Sequence, residues 1–329
     1  MRCQLAFNGK AVEANIGETL IDAALGGAML IPHDCRSGQC QSCRVTVVSG
    51  SVDDRGSAYG NTVLACQATV SGEASIEFDE LPLPVKRTGI ITEINELSPQ
   101  IVEVVMTTSS PLDYRPGQYV RLKFSGFPAR EFSPTCRLDG SRTELELVFH
   151  IRRLPDGLVS RELGIAINPG HGAHVQGPFG QAYLRDGHGP LILVSGGAGW
   201  APIWALARMA RLNQRERELI VIAGSRDAEN LYMRPALDWL IEDGVREVIA
   251  TSEKDGSDSV KRGLPTHYMP PLGPEDTVHV AGPIGLVDAI KSKALDAHAR
   301  CFADPFLASA RSASLADRIV RRWFRHARI

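Results

Sequence analysis

A chain of 329 residues, 43% hydrophobic and 22% charged, has room for two or three domains with separate cores and reads as an ordinary globular protein. Its net charge of −2 gives no electrostatic footprint for nucleic acid, and its most apolar window, 191–207, is broken by Gly196, Gly197, Gly199 and Pro202, so no membrane span or signal segment is expected. Seven cysteines, with Cys3, Cys136 and Cys301 far apart, do not make a disulfide framework, which suits a reducing cytoplasm.

Residues 1–80 read as a small mixed β domain. Strands at 3–7 and 11–14 flank the Asn8-Gly9 hairpin signal. A short helix follows, with Leu20, Ile21, Ala24 and Leu25 on one face and Gly26-Gly27 as its stop. Then comes Cys35-Arg36-Ser37-Gly38-Gln39-Cys40-Gln41-Ser42-Cys43, with a fourth thiol in Leu64-Ala65-Cys66-Gln67, and strands at 44–48 and 74–78 complete the domain. C-x4-C-x2-C with one distant Cys is the plant-type [2Fe–2S] spacing, in which a looped backbone turns its N–H groups toward the sulfurs. Structural zinc prefers two compact pairs, and Cys66 has no such companion. The expected metal ligands are therefore Cys35, Cys40, Cys43 and Cys66.

Residues 81–87, Leu-Pro-Leu-Pro-Val-Lys-Arg, suit a semi-rigid linker. Short β patterns at 90–94, 101–106, 119–124 and 144–151 within 88–186 predict an antiparallel barrel. From 187 to 306 the pattern changes: strands at 191–195, 219–223, 248–250 and 278–280 alternate with helices beginning near 201, 234 and 286. That alternation predicts a parallel sheet with helices on both faces. In the tail at 307–329, Ser314-Leu315-Ala316-Asp317 starts a predicted helix whose Arg318, Arg321, Arg322 and Arg325 form a basic face.

The stretch Arg130-Glu131-Phe132-Ser133 resembles the Arg-x-Tyr/Phe-Ser flavin motif of the ferredoxin–NADP reductase superfamily. The resemblance implies that Arg130 meets a flavin phosphate, Phe132 lies on the flavin or its ribityl chain, and Ser133 bonds the N5 edge where hydride arrives, with Glu131 carried in the same stretch. The run from His150 through Arg152, Gly157 and Val159 to Ser160 resembles the second flavin element, a strand end, a glycine turn and a helix start facing a pyrophosphate. Gly177-Pro178-Phe179-Gly180 matches a structural turn of the same superfamily.

Ser195-Gly196-Gly197-Ala198-Gly199-Trp200-Ala201-Pro202 follows an apolar strand and opens a helix, where a pyrophosphate-binding turn of Gly197, Ala198 and Gly199 belongs. The segment from Gly224 to Tyr232 resembles the one that holds the adenosine ribose, here through Ser225, Arg226 and Tyr232. Asp227 and Glu229 would repel a 2′-phosphate and favour NADH, while Arg226 pulls the other way. Ala281-Gly282-Pro283 matches the superfamily's Cys-Gly-Pro with Ala281 in place of the Cys beside the nicotinamide C4, which leaves Gly282 and Pro283 as contacts. Phe302-Ala303-Asp304-Pro305-Phe306 resembles the usual terminus, which makes Asp304 a catalytic candidate with Ser133 and Phe306 a flavin contact.

Taken in order, these motifs resemble the NADH-dependent reductase component of multicomponent ring-hydroxylating dioxygenases and monooxygenases. The resemblance implies an α/β multidomain fold: a β-grasp [2Fe–2S] ferredoxin domain, an antiparallel β-barrel FAD domain and a Rossmann-like parallel α/β NAD domain. It implies hydride passing from NADH to FAD, and single electrons leaving through the cluster to a terminal Rieske-type oxygenase of aromatic rings or to an intermediate ferredoxin. Reductases of this architecture also serve di-iron monooxygenases and deoxysugar dehydratases, and an NADH-binding redox sensor is the reading from another class. One departure concerns the cluster loop, where Gln41 stands in place of the glycine that often follows the second Cys; its side chain is expected to point outward.

Overall fold

In the computed structural model, which describes residues 1–33, 36–38, 43–141 and 143–306, the alternation of apolar side chains builds three sheets. Cys35, Cys40, Gln41 and the basic tail predicted at 307–329 lie outside the described residues. The first sheet holds β1 (Arg2–Phe7), β2 (Lys10–Asn15), β3 (Arg44–Asp53), β4 (Thr62–Leu64) and β5 (Thr69–Glu77) in the order β2-β1-β5-β3-β4, with helix α1 (Leu20–Gly26) beside it. Thr19 caps α1 by accepting from Asp22 N at 3.2 Å. Its buried face is Leu20, Ile21, Ala23 and Ala24, while Leu25 is exposed, contrary to the sequence expectation. At 100° per residue Leu25 falls outside the arc centred on Leu20 and Ala24. β3 and β5 run longer than their apolar patterns predict, because Val52 and Asp53 pair with Val70 and Thr69 through backbone bonds that leave no mark on polar side chains.

The second sheet holds β6 (Val85–Ser98), β7 (Ile101–Thr108), β8 (Tyr119–Phe124), β9 (Arg130–Phe132), β10 (Glu146–Arg152) and β11 (Gly172–Phe179) in the order β10-β7-β6-β11-β8-β9, all antiparallel. Thr135 N donates to Val148 O at 2.8 Å and brings the two ends of the sheet together. Val120, Leu122 and Phe124 of β8 meet Leu147, Phe149 and Ile151 of β10 inside. The opposite face of β10 is therefore free to turn Val148 and His150 toward the third sheet. The predicted linker is partly absorbed into structure, since β6 begins at Val85.

The third sheet holds β12 (Leu191–Gly196), β13 (Leu219–Ser225), β14 (Glu247–Ser252), β15 (Lys261–Arg262), β16 (Thr277–Pro283) and β17 (Arg300–Phe306), all parallel, in the order β15-β14-β13-β12-β16-β17. Helices α2 (Trp200–Asn213) and α3 (Arg234–Glu242) pack on the face of Leu191, Leu193 and Val221. Helix α4 (Ile284–Asp296) covers Ile192, Val194 and Val280 on the other. The strand order reverses between β12 and β16, so the crevice at their C-terminal ends is the place where such sheets take ligands.

Barrel and sheet are joined by an apolar seam. Ile101 and Cys136 from the barrel sit in the same core as Trp200 and Trp204, whose rings stack at 5.8 Å. Trp204 Nε1 donates to Arg137 O at 2.8 Å, and the Arg137 guanidinium grips Glu93 with two bonds of 2.8 and 2.7 Å. That grip holds the Glu93 carboxyl down to about 2. Replacing the fully buried Trp204 with Ala should destabilise the protein by about 3–5 kcal/mol, read as a lower denaturant midpoint. Trp204→Phe, which keeps a ring and loses the Nε1 bond, should cost less.

Candidate functional site

At the expected iron–sulfur end, Cys43 stands just before β3 and is buried, while Cys66 is half-buried beyond β4. Ala65 N donates to Cys43 O at 3.0 Å, which ties the two cysteine-bearing backbones together. Gln67 Nε2 reaches Cys66 Sγ at 3.5 Å and Arg36 O at 3.4 Å, so a side-chain amide lies against one expected ligand sulfur. Two thiols held on one rigid loop frame, with N–H donors beside them, fit a cluster, and this chain's Cys43 and Cys66 would hold one side of it.

The flavin motif lies on β9 and its exit. Phe132 pairs with Val120 and packs at 6.2 Å against Phe149, half-buried at the barrel rim. Glu131 points outward to an exposed pair with Arg121 at 3.2 Å, and Arg130 Nη1 donates back to Ala129 O at 2.8 Å. Ser133 is buried, and its Oγ donates to Asp304 Oδ2 at 2.8 Å across 171 residues of sequence. Removal from water in this cleft lifts the Asp304 carboxyl to about 6; the Glu131 charge adds to the lift and the Ser133 bond opposes it.

The second flavin element departs from expectation. After Gly157 the chain makes only a single tight turn over Ser160–Glu162, not a helix whose N-terminus could face a pyrophosphate. The reason is local: Ser160 Oγ accepts from Leu154 N at 3.1 Å, folding the loop on itself, and Gly164 with a positive φ of 81° ends the turn. A Cβ on Gly157 would stand 2.3 Å from Ser160 Oγ, so this glycine is required by the loop itself. Val159 puts its side chain into the barrel core, which leaves its backbone to meet a ligand, and Arg152 is exposed and bonded to Gln100 Oε1 at 2.9 Å.

His150 is buried from the side, with its ring set edge-on at 5.3 Å to Tyr232 of the nicotinamide domain. Both of its ring nitrogens and the Tyr232 hydroxyl are buried without a hydrogen-bond partner, as are Thr135 Oγ1 and Trp200 Nε1. Burial pushes the imidazole down to about 3 and the Tyr232 phenol well above its usual range. These unmet polar atoms lie inside the closed interface between barrel and sheet, where neither water nor a ligand reaches them. Sequence reasoning passed over Glu103, which lies 3.9 Å from His150 Nε2 and whose carboxyl burial raises. The available signal was one acid inside the apolar run Ile101-Val102-Glu103-Val104-Val105.

At the crevice, Gly197, Ala198 and Gly199 form a tight turn from β12 into α2, and α2 has no side-chain cap at its N-terminus. A Cβ on Gly199 would meet Ala281 O at 2.1 Å, so this turn is pressed onto the end of β16. Gly282, at a φ of 137°, answers by lying over Gly196. An uncapped fourteen-residue helix behind an open glycine turn fits a pyrophosphate. Pro283 then starts α4 and pairs in register with the half-buried Phe306, while Ala281 pairs with Asp304. Farther out, Ser225 Oγ donates to Asp227 O at 2.5 Å, and Asp227 Oδ1 accepts from Asn230 N and Nδ2. That acid caps its own turn, whereas Arg226 and Glu229 are exposed.

Sequence comparison matches three families in this order: the 2Fe-2S iron-sulfur cluster binding domain over residues 5–71, the oxidoreductase FAD-binding domain over 89–183 and the oxidoreductase NAD-binding domain over 193–292. The reductase component of the naphthalene 1,2-dioxygenase system of Pseudomonas putida is 31% identical over 261 residues, 74% of this chain and 78% of its own. The ferredoxin–NAD(+) reductase component of the alkene monooxygenase system of Xanthobacter autotrophicus is 29% identical over 91% of this chain and 99% of its own. Among solved structures, an Amycolatopsis cytochrome P450 reductase is similar in fold with a TM-score of 0.66 at 24% identity, covering 94% of this chain and 100% of its own. The ferredoxin reductase in carbazole 1,9a-dioxygenase gives 0.60 at 22% identity, over 93% and 99%.

Because the folded protein binds the Asp304 proton more tightly than an unfolded chain, whose value is near 3.8, stability falls as pH rises from about 4 to about 6, and the loss is complete above that. In cofactor-free protein Asp304→Asn should therefore gain about 1–3 kcal/mol at pH 7, and the gain should shrink toward pH 4. Denaturant titrations at the two pH values read it.

Proposed function

The chain belongs to the iron–sulfur flavoprotein reductase components of oxygenase systems, and from that membership we propose that it takes hydride from NADH and feeds single electrons to a terminal oxygenase of aromatic rings or to an intermediate ferredoxin. One observation carries the proposal: Ser133 of the barrel and Asp304 of the nicotinamide sheet meet at 2.8 Å, so the two halves of a hydride-transfer site share one hydrogen bond. FAD, when bound, accepts hydride and parts with electrons singly, which is the chemistry needed between a two-electron donor and a one-electron cluster.

The residues divide the work by what each can offer. Arg130 supplies a permanent cation for a phosphate. Gly197, Ala198 and Gly199 supply N–H groups for a pyrophosphate at the start of α2, and the exposed Arg226 is left for the ribose, whereas Ser225 is bonded to Asp227 O and Tyr232 is buried against His150. Gly282 and Pro283 bring backbone close to the reacting ring, where Ala281 offers no thiol. Ser133 holds a hydroxyl at the cleft, and Asp304 sets its direction: an ionised Asp304 draws the Ser133 hydrogen toward itself, while a protonated Asp304 donates and leaves that hydrogen for the cleft. His150 meets the same seam as a neutral ring, and Phe306 closes the end of β17. Cys35, Cys40, Cys43 and Cys66 hold the cluster. We assign these roles to domains at 1–80, 88–186 and 187–306, joined at 81–87 and followed by the tail at 307–329. Asp227 and Glu229 support NADH over NADPH by their charge. Among the described residues no helix is long and apolar enough to cross a membrane.

The test separates the two halves of the relay. The purified protein should reduce both ferricyanide and cytochrome c with NADH. Cys66→Ala should abolish the cytochrome c reaction and leave the ferricyanide reaction in place. Ser133→Ala should lower both on the order of 10–100-fold, because it removes the hydroxyl that holds the Asp304 carboxylate in place at the cleft and leaves that buried group without its donor. A protein that binds NADH and reduces neither acceptor would overturn the proposal.

A further inference from the structure

We propose that Tyr59 and Glu275 form a docking contact that seats the iron–sulfur domain on the nicotinamide domain and thereby sets the rate of electron passage from flavin to cluster; this rests on the reductase reading. The Tyr59 hydroxyl donates to the Glu275 carboxylate across 216 residues of sequence. Arg44 and Arg300 lie near enough for their charges to act on that phenol. Polar side chains from two domains thus meet here.

The tyrosine end is fastened to the cluster frame. Tyr59 sits in the connection from β3 to β4, where its N–H donates to Thr62 O at 2.9 Å and Thr62 Oγ1 donates to Tyr59 O at 2.7 Å. Arg44 Nη1 donates to Thr62 Oγ1 at 3.0 Å and to Ser57 O at 3.3 Å, and Ser57 Oγ accepts from Leu64 N at 3.1 Å. Arg44 directly follows Cys43, and Leu64 stands two residues before Cys66. The loop that carries Tyr59 therefore hangs from the backbone beside two expected cluster ligands, and any shift of Tyr59 is passed to them.

The glutamate end is equally anchored. Glu275 stands two residues before Thr277, the first residue of β16, and Thr277 Oγ1 accepts from Arg217 and Arg300 at 2.9 Å each. Arg217 also donates to Gly189 O at 2.7 Å, at the entrance to β12. At their other ends β12 and β16 carry the glycine turns of the crevice, so one rigid sheet connects Glu275 to the nicotinamide site.

An exposed bond of this kind adds little to stability, since water competes for both partners, and Tyr59 is 50% exposed. Its use is positional. With both groups bound, NADH would supply an electron pair, each cluster reduction would take one electron of it by way of the flavin, and the proton released would go to solvent. Such transfer weakens steeply with separation, so a contact that selects the seated arrangement selects the fast one.

Stopped-flow mixing of the holoenzyme with NADH reads flavin and cluster bleaching separately. Tyr59→Phe and Glu275→Ala should slow cluster reduction about 2- to 5-fold, the range an exposed polar pair is worth, with flavin reduction unchanged. Glu275→Gln, whose amide oxygen still accepts, should stay near the parent. In the oxidised protein, hydrogen exchange at residues 57–64 should rise in the first two variants and not in the third. Unchanged cluster reduction in both Tyr59→Phe and Glu275→Ala overturns the docking contact, as does equal slowing by Glu275→Gln. If NADH fails to reduce the flavin of the parent protein, the reductase reading itself has failed, and the docking proposal falls with it.

Discussion

A carboxyl drawn into a cleft between two domains must find a donor or give up its charge, and Asp304 does part of each. Its donor is Ser133, and its pKa still rises to about 6. That compromise requires the barrel and the nicotinamide sheet to stay in fixed register, because a hydrogen bond of 2.8 Å tolerates little slippage. The apolar seam of Ile101, Cys136, Trp200 and Trp204 supplies the rigidity, and Trp204 adds direction by bonding Arg137 O. Stability in the seam thus becomes precision at the site.

The iron–sulfur domain is attached by different physics. Polar contacts tie it to the rest: Tyr183 Oη donates to Asp79 at 3.0 Å, Arg115 Nη2 donates to Glu80 O at 2.8 Å, and Tyr59 bonds Glu275. Polar contacts fix orientation while exchanging readily with water, whereas an apolar seam does not let go without exposing its core. The division matches the two transfers. Hydride transfer needs near-contact geometry and lies across the rigid seam, while an electron donor that must also meet an external acceptor profits from a lighter attachment.

Legibility in the sequence followed range. The cysteine spacing, the glycine turn after β12 and the parallel alternation are local patterns, and each could be read without knowing where the chain goes next. Asp304 and Ser133 could be nominated singly from motifs, but nothing within ten residues of either says that they touch. The helix expected after Gly157 failed for a local reason of another kind, since Ser160 spends its hydroxyl closing the loop instead of capping a helix. Asp227 likewise caps its own turn. Glu103 gave the weakest signal because it occupies one polar slot in an apolar strand, and only the register Glu103 to His150 brings it beside a residue that a motif had nominated.

Proton handling in the cleft can be narrowed by magnitude. His150 and His279 are both buried and both pushed down to about 3, so near neutral pH each is a neutral ring, several units from its titration point. His279 is further fixed, because a neutral ring facing Ala182 O at 3.1 Å must donate from Nδ1. The Tyr232 phenol is shifted away from neutrality in the other direction. Asp304, at about 6, is the group in this cleft whose two protonation states are close in free energy at physiological pH. Switching it reverses the sense of the Ser133 hydrogen bond. The direction of the Ser133 hydroxyl is therefore coupled to a carboxyl that burial has brought within reach of neutral pH.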